Sequence, residues 1–78
     1  MTSIHQPEYR KLLEELILAR EEASVTQQEI ADKLNKPQSF VSKYESGERR
    51  LDVIEFVKIS GLIGVDYKEL IDRALSES

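Results

Sequence analysis

The sequence predicts an all-α fold, a compact bundle of five short helices forming one domain. Three observations carry that expectation. Apolar residues recur at helical spacing in five stretches, and no stretch alternates as a strand does. Helix-start signals recur as well. Thr26, Asp52 and Asp66 each stand three residues ahead of a glutamate (Glu29, Glu55 and Glu69), the pattern of a capping box. Helix-stop signals answer them. Gly47 and Gly64 tolerate positive φ just past a helix end, and Pro37 has no N–H with which to continue one.

Residues 1–6 carry no pattern and read as a loose tail, with a nucleic-acid-touching arm as the other reading. His5, the one histidine of the chain, reads as exposed. Helix 1 starts near Gln6-Pro7, since proline suits the first helical position, and runs to about Ala23. Leu12, Leu13, Leu16, Ile17 and Ala19 form its apolar stripe, and Glu8, Glu14, Glu15, Glu21 and Glu22 its wet side. Val25 plugs the core from the following connection. Helix 2, capped by Thr26, buries Ile30, Ala31 and Leu34. Helix 3 runs from about Gln38 to Ser46 and buries Val41 and Tyr44. Helix 4 spans Val53 to Ile63, with Val53, Phe56, Ser60 and Ile63 on one face and Ile59 alongside. Helix 5 runs from Tyr67 to Leu75 with Leu70, Ile71 and Leu75 apolar, and 76–78 form a second tail. The domain is thus residues 7–75.

Helices 2 and 3 are separated by Asn35-Lys36-Pro37 alone, which is the helix-turn-helix outline. The outer face of helix 3 is unusual. Gln38, Ser39, Ser42 and Lys43 carry amide, hydroxyl and ammonium groups where an ordinary solvated face carries Glu–Lys pairs. Donors and acceptors of this kind at a helix start match base edges and phosphates.

Thr26-Gln27, Glu29-Ile30-Ala31, Gln38-Ser39, Val41-Ser42-Lys43-Tyr44-Glu45 and Ser46-Gly47 together resemble the lambda-repressor-like helix-turn-helix family, also called XRE or Cro-type. The resemblance extends from about Leu12 to Ile71. It implies sequence-specific binding of double-stranded DNA by a transcriptional regulator, a repressor, with helix 3 in the major groove. It also implies that Arg20 reaches Glu45 as a structural ion pair. Carried over residue by residue, Gln27 holds a phosphate at the start of helix 2. Gln38 contacts adenine N6/N7, and Ser39 a neighbouring base or phosphate. Ser42 and Lys43 follow on the same face. Lys36, Arg49 and Arg50 position the DNA backbone. Two positions depart from the family. Pro37 stands where relatives carry a capping Ser or Thr, and Phe40 replaces a small residue. Phe40 either meets thymine methyls or packs on Leu51 and Arg50.

The family binds inverted half-sites as dimers, which implies an operator with an inverted repeat and a homodimer here. Surplus apolar surface offers a seam at Ile54, Val57, Tyr67, Ile71 and Leu75; the same residues also serve simply to cover the core. Restriction–modification controllers and DNA-binding antitoxins share the form. A protein-interaction bundle without DNA contact is the reading from another class.

Composition bounds the rest. In 78 residues the core is small, so stability is marginal or supported by a partner subunit. There is no cysteine, hence no disulfide or thiolate metal site. No apolar run approaches the roughly 18 residues that span a membrane, and no secretory signal opens the chain, so a cytoplasmic protein is expected. No metal ligand set, nucleophile–base pair or Gly-rich phosphate loop appears, so neither enzyme nor cofactor is expected. The net charge of −4 is unevenly spread. From Lys33 to Arg50 five basic residues face two acidic ones, a local +3, and the remainder carries −7. Phosphate attraction is local, screened beyond roughly 8 Å at physiological salt, so the segment matters more than the total.

Overall fold

The backbone of the computed structural model, which describes residues 7–76, forms α1 (Pro7–Glu22), α2 (Gln27–Leu34), α3 (Gln38–Ser46), α4 (Val53–Ile63) and α5 (Tyr67–Ser76). No strand occurs among the described residues. α3 and α4 have the expected bounds. α1 ends one residue early, at Glu22, and α5 takes in Ser76, whose hydroxyl donates to the Arg73 carbonyl at 3.4 Å. The expectations for 1–6, His5 included, and for 77–78 lie outside the described residues.

Capping chemistry fixes these bounds. Thr26 Oγ1 accepts the Glu29 N–H at 3.0 Å, and Glu29 Oε1 accepts the Thr26 N–H at 2.8 Å. Asp52 and Glu55 repeat the exchange at 2.8 and 3.0 Å. Asp66 departs from the expected box. Its carboxylate accepts the N–H of Lys68 at 2.9 Å, and Glu69 faces Arg73 at 3.6 Å. α2 closes at Asn35, whose φ of 61° is the left-handed conformation asparagine tolerates. Pro37 then starts α3 without a side-chain cap.

Leu16, Ile30, Ala31, Val41, Tyr44, Phe56, Ile59 and Leu70 make one buried cluster, drawing on every helix. α1 packs along α5, α2 along α3, and α4 touches α1, α2 and α5. Ser60 is buried too, and its hydroxyl is satisfied by the Phe56 carbonyl at 2.9 Å. Val53 corrects the expected α4 face: it is 66% exposed. As the first residue of α4 its side chain tilts toward the helix start, past the core that begins at Phe56. The dimer-seam set divides. Ile54 and Leu75 are exposed, whereas Val57, Tyr67 and Ile71 are half-buried against the core. Leu18 of α1 is a further exposed apolar residue.

Tyr44 is fully buried, yet its hydroxyl makes no hydrogen bond among the described residues. Burial raises its pKa above the ordinary tyrosine value of about 10. An orphaned hydroxyl costs desolvation with nothing gained in return. Tyr44→Phe is therefore expected to be neutral or stabilising by up to about 1 kcal/mol in urea unfolding. The pH dependence follows from the raised value. The stabilising share of the protonated phenol is complete below pH ~10 and is lost as pH rises beyond it, because the unfolded chain releases that proton first. The alkaline fall in stability should thus be shallower in Tyr44→Phe than in the wild type; equal falls would exclude Tyr44 as a contributor.

Candidate nucleic-acid interface

A partly buried ion pair anchors the outward-facing helix. Arg20 Nε donates to Glu45 Oε2 at 2.7 Å and Arg20 Nη2 to Glu45 Oε1 at 3.1 Å, the two-pronged geometry that suits guanidinium and carboxylate. Arg20 Nη1 donates to the Val25 carbonyl at 2.8 Å. The two side chains are only 12% and 9% exposed. The bond to Glu45 raises the Arg20 pKa above its ordinary value, and partial burial opposes the rise. α1, the loop before α2, and the end of α3 are thereby locked together.

A second chain of bonds leads outward from the same carboxylate. Gln27 Nε2 donates to Glu45 Oε1 at 2.8 Å, and Gln38 Nε2 donates to Gln27 Oε1 at 2.5 Å. The first residues of α2 and α3 thus meet above the turn. Gln27 is half-buried and its amide engaged on both sides; Gln38 is exposed. Ser39, Ser42 and Lys43 lie exposed along α3, and their side-chain polar atoms make no hydrogen bond or ion pair among the described residues.

The basic residues are less alike than they look in sequence. Phe40 is half-buried, set edge-on to Tyr44 with ring centroids 5.8 Å apart. Arg49 lies over the Phe40 ring at 4.7 Å and Lys36 approaches it at 5.4 Å. Phe40 therefore carries Arg49, where packing on Arg50 had been one expectation. Arg49 is also held by Glu55 at 2.9 and 3.0 Å. That bond raises the Arg49 pKa and, together with the Asp52 N–H, lowers that of Glu55. Arg50 lies over the ring of Tyr9 at 4.2 Å, and the Tyr9 hydroxyl accepts the Leu51 N–H at 3.2 Å.

Tyr9 and the second role of Glu55 emerge only from the fold. Glu55 was visible as a cap, and an arginine six residues before it was the available signal. Tyr9 lies 42 positions from Leu51 and gave none. Among the described residues no group of three or more His, Cys, Asp or Glu could hold a metal, and no helix is long and apolar enough to cross a membrane.

Two short helices at a sharp turn, the second presenting a polar outer face beside basic side chains, define a helix-turn-helix DNA-binding domain. The helix-turn-helix family profile matches residues 16–70. A solved structure described as an XRE-family like protein from Pseudomonas syringae pv. tomato str. DC3000 is 47% identical, with a TM-score of 0.88, over 96% of this chain and 92% of that one. No curated protein matches. The chain belongs to the XRE family of helix-turn-helix DNA-binding transcription regulators, which are typically not enzymes.

The two arginine–glutamate pairs should respond differently to mutation. Arg20→Ala leaves a largely buried carboxylate without its cation and is expected to cost about 3 kcal/mol in urea unfolding. Arg49→Ala removes an exposed pair and should leave the unfolding midpoint close to that of the wild type. Equal losses in the two variants would contradict the distinction.

Proposed function

We propose that this protein is a sequence-specific transcriptional repressor that binds double-stranded DNA as a homodimer at an inverted repeat, with α3 in the major groove of each half-site. The observation that carries the reading is the outer face of α3. Gln38 is held in place by Gln27, while Ser39, Ser42 and Lys43 stand exposed without side-chain hydrogen-bond or ion-pair partners among the described residues. On an ordinary surface such groups need no orientation; for reading bases they do.

In this reading Gln38 reads adenine through N6 and N7, and Ser39 touches an adjacent base or phosphate. Ser42 and Lys43 extend the contact along the groove. Lys36, Arg49 and Arg50 fall along the DNA backbone, and the start of α2 at Gln27 faces a phosphate. Phe40 and Tyr9 give the two arginines flat apolar supports that restrict them, and Glu55 holds Arg49 in addition. The dimer brings two recognition helices about 34 Å apart, one turn of the duplex. Ile54 and Leu75 supply its exposed apolar contacts, with Val57, Tyr67 and Ile71 at the margin. Repression follows from occupancy of a promoter site.

Selection from a random duplex pool is expected to enrich a two-fold symmetric sequence. Gln38→Ala should then lose about 1–3 kcal/mol at one base pair per half-site and relax its specificity. Arg50→Ala should weaken all duplexes alike and reduce the salt slope by roughly one. Binding that is absent, or that ignores salt, would instead favour the protein-interaction reading.

A further inference from the structure

The chain of hydrogen bonds from the core to Gln38 has a direction, and that direction originates at Glu45. A carboxylate has no hydrogen to give, so an amide that approaches it must turn its NH2 group inward. Glu45 is held by two Arg20 donors, at 2.7 and 3.1 Å, and Arg20 is itself tethered to the Val25 carbonyl at 2.8 Å. Gln27 accordingly donates Nε2 to Glu45 Oε1 at 2.8 Å. Its oxygen is then forced to face Gln38, and an oxygen can only accept. Gln38 must answer with an N–H, as it does at 2.5 Å.

What remains on Gln38 is one N–H beside one carbonyl oxygen. A donor next to an acceptor is the complement of adenine, which offers an N7 acceptor and an N6 donor. With the relay reversed, Gln38 would turn its oxygen toward Gln27, leaving one lone pair of that oxygen over, and its NH2 group with both hydrogens would lead outward. Two donors are the complement of guanine, which offers acceptors at O6 and N7. The geometry points to Glu45 as a positioning residue that sets the donor–acceptor sense of the Gln38 amide and so its preference for adenine over guanine. The inference rests on the proposed reading of a base edge by Gln38. It adds that the specificity of this exposed amide is decided by a side chain that is 9% exposed and that acts through Gln27.

The relay distinguishes residues that a purely structural role would not. In Glu45→Gln, Arg20 Nε retains the new amide oxygen at the Oε2 position, and the new NH2 at the Oε1 position gives up the Arg20 Nη2 bond, turns toward Gln27 and reverses the chain. Gln27→Met cuts the chain and leaves the Arg20–Glu45 pair in place. Arg20→Ala weakens the anchor but leaves Glu45 an acceptor, so the sense is kept.

The test uses a duplex enriched by the wild-type protein from a random pool, at the A·T pair whose preference Gln38→Ala removes. Affinity for that duplex and for its G·C counterpart is measured for each variant. The wild type is expected to favour A·T by roughly 5- to 150-fold, the range of one bidentate contact. Glu45→Gln should lower that ratio by about tenfold or more, toward guanine, and Gln27→Met should bring it near unity. Arg20→Ala should bind more weakly overall with its ratio retained; if it does not fold, Gln27→Met carries the comparison. Unchanged ratios in both Glu45→Gln and Gln27→Met would overturn the inference and leave the DNA-reading function standing. A wild type that enriches no duplex, or none with a Gln38-dependent A·T pair, would overturn both.

Discussion

The Arg20–Glu45 pair is the interaction on which the arrangement depends. It ties α1 to the end of α3 through a guanidinium whose bonds also reach the carbonyl of Val25. A buried ion pair contributes little net stability, because desolvation offsets most of the attraction. Its geometry is nevertheless demanding, and that demand sets the angle at which α3 leaves the core. The small core adds a second constraint. Val41 and Tyr44 of α3 pack with Ile30 and Ala31 of α2, so neither helix can rotate without opening the cluster.

Charge and support are separated in this molecule. The acidic excess lies outside the segment from Lys33 to Arg50, and Lys36, Arg49 and Arg50 of that segment lie against the rings of Phe40 and Tyr9. All three remain exposed, and the rings restrict where their charges sit. Phe40 is central to this. Its ring meets Tyr44 inside and Arg49 outside. Glu55 meanwhile caps α4 and grips Arg49, so the start of α4 and the basic loop are coupled.

Local signals in the sequence proved sufficient for the helices. Thr26, Asp52, Gly47 and Gly64 act on backbone groups within a few residues, so their effect is readable without the fold. Asp66 shows the limit, since a cap can choose a neighbouring N–H at similar cost. The Arg20–Glu45 pair spans 25 positions and was legible only through the family resemblance. The Gln27–Gln38 bond, the Tyr9–Leu51 bond and the Phe40–Arg49–Glu55 group were not legible at all. Each depends on helices first packing and on side chains then finding one another. Val53 was misplaced for a related reason: periodicity marks a face but not where the core ends along it.

The outer face of α3, with the start of α2 and the Arg49-Arg50 loop, is the surface we propose to meet DNA. Amide chemical-shift mapping during titration with a duplex selected by the protein tests it most directly. Shifts should concentrate at Gln27, Gln38, Ser39, Ser42, Lys43 and Arg50 and spare Leu18, Glu21 and Glu22 of α1. Shifts centred on α1 and α5, or none at low salt, would contradict it.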